Sequence, residues 1–131
     1  MIINQLRIFQ CLLLVMLISS CASYHNLNEN GANHLGGGFL DNQLAPSFYS
    51  LTVKTNFAPW KNFSGAWKTW DKRAKELCGQ QNFENIEVQE SSYNTIAGEG
   101  YVISQIEGYV LCAGTNLEKK EIERLISNNR Y

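Results

Sequence analysis

Phe63-Ser64-Gly65-Ala66-Trp67-Lys68-Thr69-Trp70-Asp71-Lys72-Arg73-Ala74-Lys75-Glu76-Leu77-Cys78 is the stretch whose reading decides the fold. Its apolar members, Phe63, Ala66, Trp67, Trp70, Ala74, Leu77 and Cys78, recur at intervals of three and four. Lys68, Asp71, Lys72, Lys75 and Glu76 take the other side, which is the pattern of an amphipathic helix. One wide apolar stripe predicts a helix lying on a sheet. Asn62 or Ser64 can cap its start, and Gly79 stands where a left-handed C-cap belongs. At helical spacing Trp67 and Trp70 read as core rather than as a ligand platform. Trp60, after Pro59 and ahead of the stripe, is the tryptophan expected at the surface.

Upstream, Phe48 to Lys54 alternates with period two. Tyr49, Leu51 and Val53 share one face and Ser50, Thr52 and Lys54 the other, as in a half-buried strand. Phe39 and Leu40 are expected to form a shorter partner strand in a hairpin with it, with Asp41-Asn42 and Ala45-Pro46 as turn residues. Downstream, Ile86 to Tyr93 reads as a strand and Thr95 to Gly100 as a loop. Tyr101 to Ala113 carries the strongest strand signal, with Gly108 marking a bulge. Asn116 is expected to cap a last helix, Leu117 to Ser127. Its stripe is Leu117, Ile122, Leu125 and Ile126, and the charged run from Glu118 to Arg124 forms a solvated face. The order is strand, strand, helix, strand, strand, helix. This predicts the α+β class: a small two-layer sandwich, an antiparallel sheet of about four strands with two helices on one face. The lateral order of the strands is left open.

The ends of the chain carry different information. Arg7 is followed by the apolar run Ile8 to Ile18 and then by Ser19-Ser20-Cys21. A cation, a short apolar region and small residues at a cut make a signal peptide. The run is too short for a hydrocarbon core, which takes about 20 residues. With Cys21 directly after the cut, the segment resembles a bacterial lipoprotein signal. The resemblance implies a leader over residues 1–20, lipid on Cys21 and a membrane-tethered body. Ala22 rather than Asp in the next position points to the outer membrane, facing the periplasm. Residues 21–35, rich in Asn, read as the lipidated Cys and a flexible tether, and residues 36–131 as a single α+β domain.

The full chain has 131 residues, with 11 basic and 12 acidic side chains. Removing the leader, which holds Arg7 and no acid, leaves 10 against 12. This near-neutral balance gives no basic excess for a nucleic-acid partner. Among the cysteines, Cys11 leaves with the leader and Cys21 carries lipid. Cys78 and Cys112 remain as an even pair, expected to form a disulfide in an oxidising compartment. Both histidines, His25 and His34, fall in the tether and read as solvated. No nucleophile elbow, zinc motif, phosphate loop or calcium loop occurs, so no cofactor or metal is expected and the chain reads as non-catalytic. On a regular strand Glu84 and Glu90 would share a face and Glu87 would oppose them, which does not make a carboxylate pair. Glu99 reads as a solvated turn acid.

Gly36-Gly37-Gly38-Phe39, with Asp41, Leu44, Pro46, Tyr49, Leu51, Val53 and Asn56, and then Arg73-Ala74-Lys75-Glu76-Leu77, resembles a family of small proteobacterial lipoproteins of uncharacterised function. Thr55 replaces the glycine expected before Asn56. The resemblance supports the fold and the cell-envelope address, and brings no site residues. Two roles follow from the residues themselves. One is an interaction or assembly module for another envelope protein, with Phe57 and Trp60 of the Asn56-Phe57-Ala58-Pro59-Trp60 loop as the contact. The alternative is a small-ligand or glycan-binding domain, with Tyr49, Tyr101 and Tyr109 lining an open sheet face.

Overall fold

Period-two alternation and helical spacing set most of the element boundaries in the computed structural model, which describes residues 24–32, 35–95 and 100–130. Residues 1–20, Cys21, His34 and Glu99 lie outside the described residues. The order is α1 (Leu27–Asn30), β1 (Gly38–Ala45), β2 (Phe48–Lys54), α2 (Phe63–Leu77), β3 (Phe83–Asn94), β4 (Val102–Cys112) and α3 (Lys119–Asn129). The four strands form one antiparallel sheet in the order β1-β2-β4-β3. Two hairpins are thus joined through β2 and β4, and β4 lies inside the sheet, where its apolar run fits.

Helix α2 starts at Asn62, whose Oδ1 accepts from the Gly65 amide at 3.0 Å. It ends at Cys78, followed by Gly79 at φ 61. Ala66, Trp70 and Ala74 are fully buried against Leu51, Val53, Ile106 and Val110. Burial of a large apolar side chain of this kind contributes about 1.5–3 kcal/mol. The Trp70 indole N–H donates to Asn85 Oδ1 at 2.9 Å, and that of Trp67 to Glu90 at 2.6 Å, so both tryptophans belong to the helix–sheet contact. Cys78 and Cys112 form a disulfide, with Cα atoms 5.3 Å apart, tying the end of α2 to the end of β4.

Several sequence expectations are corrected. Asp41 and Asn42 lie within β1, because the hairpin turn is the pair Pro46-Ser47, with Ser47 at φ 65. The bulge is on β3 rather than at Gly108: Glu87 and Val88 together oppose Gly108. Glu87 takes the left-handed φ of 48, and a Cβ on Gly108 would stand 2.8 Å from the Val88 Cα. Glycine is there because the bulged backbone presses onto it. The bulge also reverses the strand's phase. Glu84 and Glu87 fall on one face of the sheet and Glu90 on the other, against α2.

The two helices do not share a face. Helix α2 covers the face carrying Leu51, Val53, Ile106 and Val110, whereas α3 covers Phe48, Tyr109 and Leu111, which alternate onto the opposite side. Phe48 lies one step out of phase with Tyr49-Leu51-Val53, and Tyr109-Val110-Leu111-Cys112 is apolar in both phases. Such segments need cover on both sides. Helix α3 begins at Lys119 after an N-cap at Glu118 that makes no side-chain bond, so Asn116 is not its cap.

The segment from Tyr24 to Gly31 is not an extended tether. The Tyr24 ring packs on Phe39 at 4.9 Å, the Phe39 amide donates to the His25 carbonyl at 3.0 Å, and α1 makes one turn capped by Asn26. Gly38, at φ 146, leaves room for Leu27, whose Cδ2 would lie 2.6 Å from a Cβ there. Polar composition suggested a solvated spacer, but its two apolar residues, Tyr24 and Leu27, both find the body. His25 Nε2 lies 3.0 Å from the Gly31 carbonyl, within this turn.

Candidate functional site

The loop between β2 and α2 is held at both ends by one buried serine. The Thr55 amide donates to the Ser104 carbonyl at 2.9 Å, and the Ser104 amide donates to Thr55 Oγ1 at 3.1 Å. The Asn62 amide donates to Ser104 Oγ at 2.7 Å, so the strand end and the helix start meet on a single residue of β4. Between them Ala58 exchanges two backbone bonds with Val102, at 3.0 and 2.8 Å, and the Phe57 amide donates to the Leu35 carbonyl at 2.9 Å. Buried donors and acceptors must be satisfied, and here their pairing fixes the loop's course.

That course leaves Trp60 outside, at 66% exposure. Phe57 is half-buried, and its ring meets Tyr101 edge-on at 5.7 Å. Tyr101 is exposed, and its carbonyl accepts from the Thr95 amide across the base of the β3–β4 turn. On β3, Tyr93 is also exposed and lies under Lys54 Nζ, 5.9 Å from its ring centroid. These aromatic side chains occupy the same end of the sheet. Of the two residues singled out from sequence, Trp60 is presented outward, whereas Phe57 turns its ring to Tyr101. Ser104 escaped the sequence reading. Its signal was a small polar residue inside the apolar run Val102-Ile103-Ser104-Gln105-Ile106, in phase with Ile106 toward α2.

A second feature lies on the sheet face that α3 leaves uncovered. It is an open cavity of about 510 Å³ bounded by Ser50, Thr52, Gln89, Glu107, Tyr109 and the end of α3. Arg130 pairs with Glu87 at its edge, and Gln105 Nε2 donates to Glu107 at 2.9 Å. Hydroxyls, amides and a carboxylate here can hydrogen-bond a polar molecule. The three tyrosines expected on one open face are separated. Tyr49 is half-buried on the α2 side, Tyr109 is buried against Phe48 at 5.7 Å beneath α3, and Tyr101 stands at the sheet end. Among the described residues, no group of three or more His, Cys, Asp or Glu is placed to hold a metal.

A third cluster joins the N-terminal segment to the body. Arg73 grips Asp41 with two bonds, Nε to Oδ1 at 2.9 Å and Nη2 to Oδ2 at 3.2 Å, and reaches Glu76 at 3.1 Å. The Tyr24 hydroxyl donates to the same Glu76 carboxylate. Lys72 Nζ lies 3.6 Å over the Tyr24 ring, and Arg73 stacks over Phe39 at 4.7 Å. Burial pushes the Tyr24 hydroxyl's pKa up, and its bond to Glu76 adds to this. Burial opposes the charges on Glu76 and Arg73, but their hydrogen bonds prevail, holding Glu76 below the usual carboxylate value and Arg73 above its own. Asp41, Arg73 and Glu76 are among the residues that carry the sequence resemblance; the bonds that they make were not legible there.

These features define a small disulfide-bonded α+β domain with a braced aromatic loop at one end of its sheet. No protein family, characterised protein or solved structure matches the chain.

Proposed function

We propose that this chain is a lipid-anchored bacterial envelope protein, tethered through Cys21 to the outer membrane on its periplasmic side. There it acts as a non-catalytic interaction or assembly module for another envelope protein. The observation that carries this reading is the exposed Trp60 on a loop braced at both ends by Ser104. A large aromatic held in place before contact loses little conformational freedom on binding, which is how anchor residues gain their weight. The Cys78–Cys112 bond supports an oxidising compartment, and the resemblance to small proteobacterial lipoproteins supports the address.

The test is photo-crosslinking in cells from the neighbouring exposed position 61, with Trp60→Ala as the comparison. One envelope protein captured from position 61 with Trp60 present and lost on Trp60→Ala is the expected result. Trp60→Ala should change stability by no more than about 0.5 kcal/mol, because the side chain is exposed. Retention of every partner by the folded variant would remove the loop from the reading. The polar cavity beside Ser50, Thr52 and Glu107 favours a second reading, a small-ligand or glycan-binding domain. Its test is a binding screen with soluble cell-wall fragments, in which Thr52→Val should abolish any signal.

A further inference from the structure

We infer that the outer face of α2 is apposed to the surface of the membrane that holds the lipid, so the α3 face and its cavity are turned away from it. The inference rests on the reading of Cys21 as the lipidated residue. Only Ala22 and Ser23 separate Cys21 from Tyr24. Three steps of fully extended chain span at most about 11 Å. Tyr24 is no free end: its hydroxyl is bound to Glu76, its ring packs on Phe39, and Lys72 covers it at 3.6 Å. The point at which the chain leaves the body is therefore fixed on the flank of α2. An anchor this short brings that flank, and not another, to the headgroups.

The chemistry of the flank fits a phospholipid surface. Lys68, Lys72 and Lys75 are exposed and spaced by four and three, so they stand in one row on the outer side of the helix. Glu76 is occupied by Tyr24 and Arg73, which leaves Asp71 as the other acid among them. Such a row is attracted to anionic headgroups within a Debye length. The sheet then separates the membrane from α3, which packs on the opposite face.

The test uses the full, lipidated chain in vesicles of phosphatidylethanolamine and phosphatidylglycerol containing a lipid with a quencher on its headgroup. A fluorophore is attached at Asp71→Cys on α2 or at Glu123→Cys on α3, with the Cys78–Cys112 disulfide left oxidised. Quenching should be several-fold stronger at position 71. Releasing the clamp with the double variant Tyr24→Ser, Arg73→Gln should bring the two positions close to equal, with the disulfide and thermal unfolding confirming an intact body. Mass spectrometry of the same preparations reads the acyl groups on Cys21. An acylated chain quenched equally at both positions without the clamp variants would overturn the apposition and leave the lipoprotein reading standing. A Cys21 without acyl groups would overturn both.

Discussion

Single atoms decide two features of this molecule. At position 108 a methyl group would meet the Val88 backbone at 2.8 Å, and backbone cannot swing aside as a side chain can. Gly108→Ala should therefore destabilise by about 1–3 kcal/mol, the range for forced overpacking. Urea unfolding would read it, and a midpoint unchanged from wild type would mean that the bulge slides to accommodate the methyl. Ser104 carries the other feature. Ser104→Ala removes the acceptor of the Asn62 amide and should cost about 0.5–1.5 kcal/mol, the net worth of one part-buried hydrogen bond. The same variant should loosen the Trp60 loop, visible as faster amide exchange at Asn62. Unaltered exchange would assign the loop's course to the Ala58–Val102 bridge alone. Neither role was readable along the chain. A glycine in a strand announces a close approach without naming which strand carries the extra residue, and a serine in an apolar run does not declare its partner.

Elements were more legible than their mutual placement. Phe48–Lys54 was readable in full because alternation and its flanking turn agree, and α2 because stripe, cap and terminal glycine agree. Strand β1 proved longer than Phe39-Leu40 suggested, since Asp41 and Asn42 are turn formers by propensity but are claimed by pairing with β2 and, for Asp41, by Arg73. The face taken by α3 was missed because the two-phase apolarity of Tyr109 to Cys112 reads as a strong strand before it reads as a doubly covered one. The N-terminal segment was missed because its binding depends on Arg73 and Glu76, some fifty residues away. That docking has a pH signature. Glu76 titrates below its ordinary value of 4.5, so its contribution is present above that value and lost as the pH falls through the lowered one. Tyr24 titrates above 10.0, so its contribution is full below that pH and fades as the pH rises beyond it. The Phe39 amide, which donates to the His25 carbonyl, should keep its exchange protection between these limits and lose it first on acidification. Protection that persists until global unfolding would show that the aromatic packing of Tyr24 suffices.

For the whole molecule, the disulfide joins the end of α2, which packs on both hairpins, to the end of β4, an inner strand of the sheet. Closing a 34-residue separation restricts the unfolded chain by roughly 3–4 kcal/mol, a large share for a body this small. Reduction, or Cys78→Ser with Cys112→Ser, should lower the urea midpoint accordingly. Thiol labelling of the native protein should find neither cysteine free until reductant is added. Ready labelling without it would separate α2 from the end of β4. The bulge at Glu87 and Val88 has a consequence of another kind. Strand β3 runs twelve residues along the outside of the sheet, long enough to template a neighbouring copy. The extra residue breaks the straight row of outward amides and carbonyls near its middle, and the exposed Glu84 and Glu90 set like charges along that border, while Glu87 pairs with Arg130. Copies of the chain brought together at high concentration can thus collide edge to edge without zipping into a continuous ribbon.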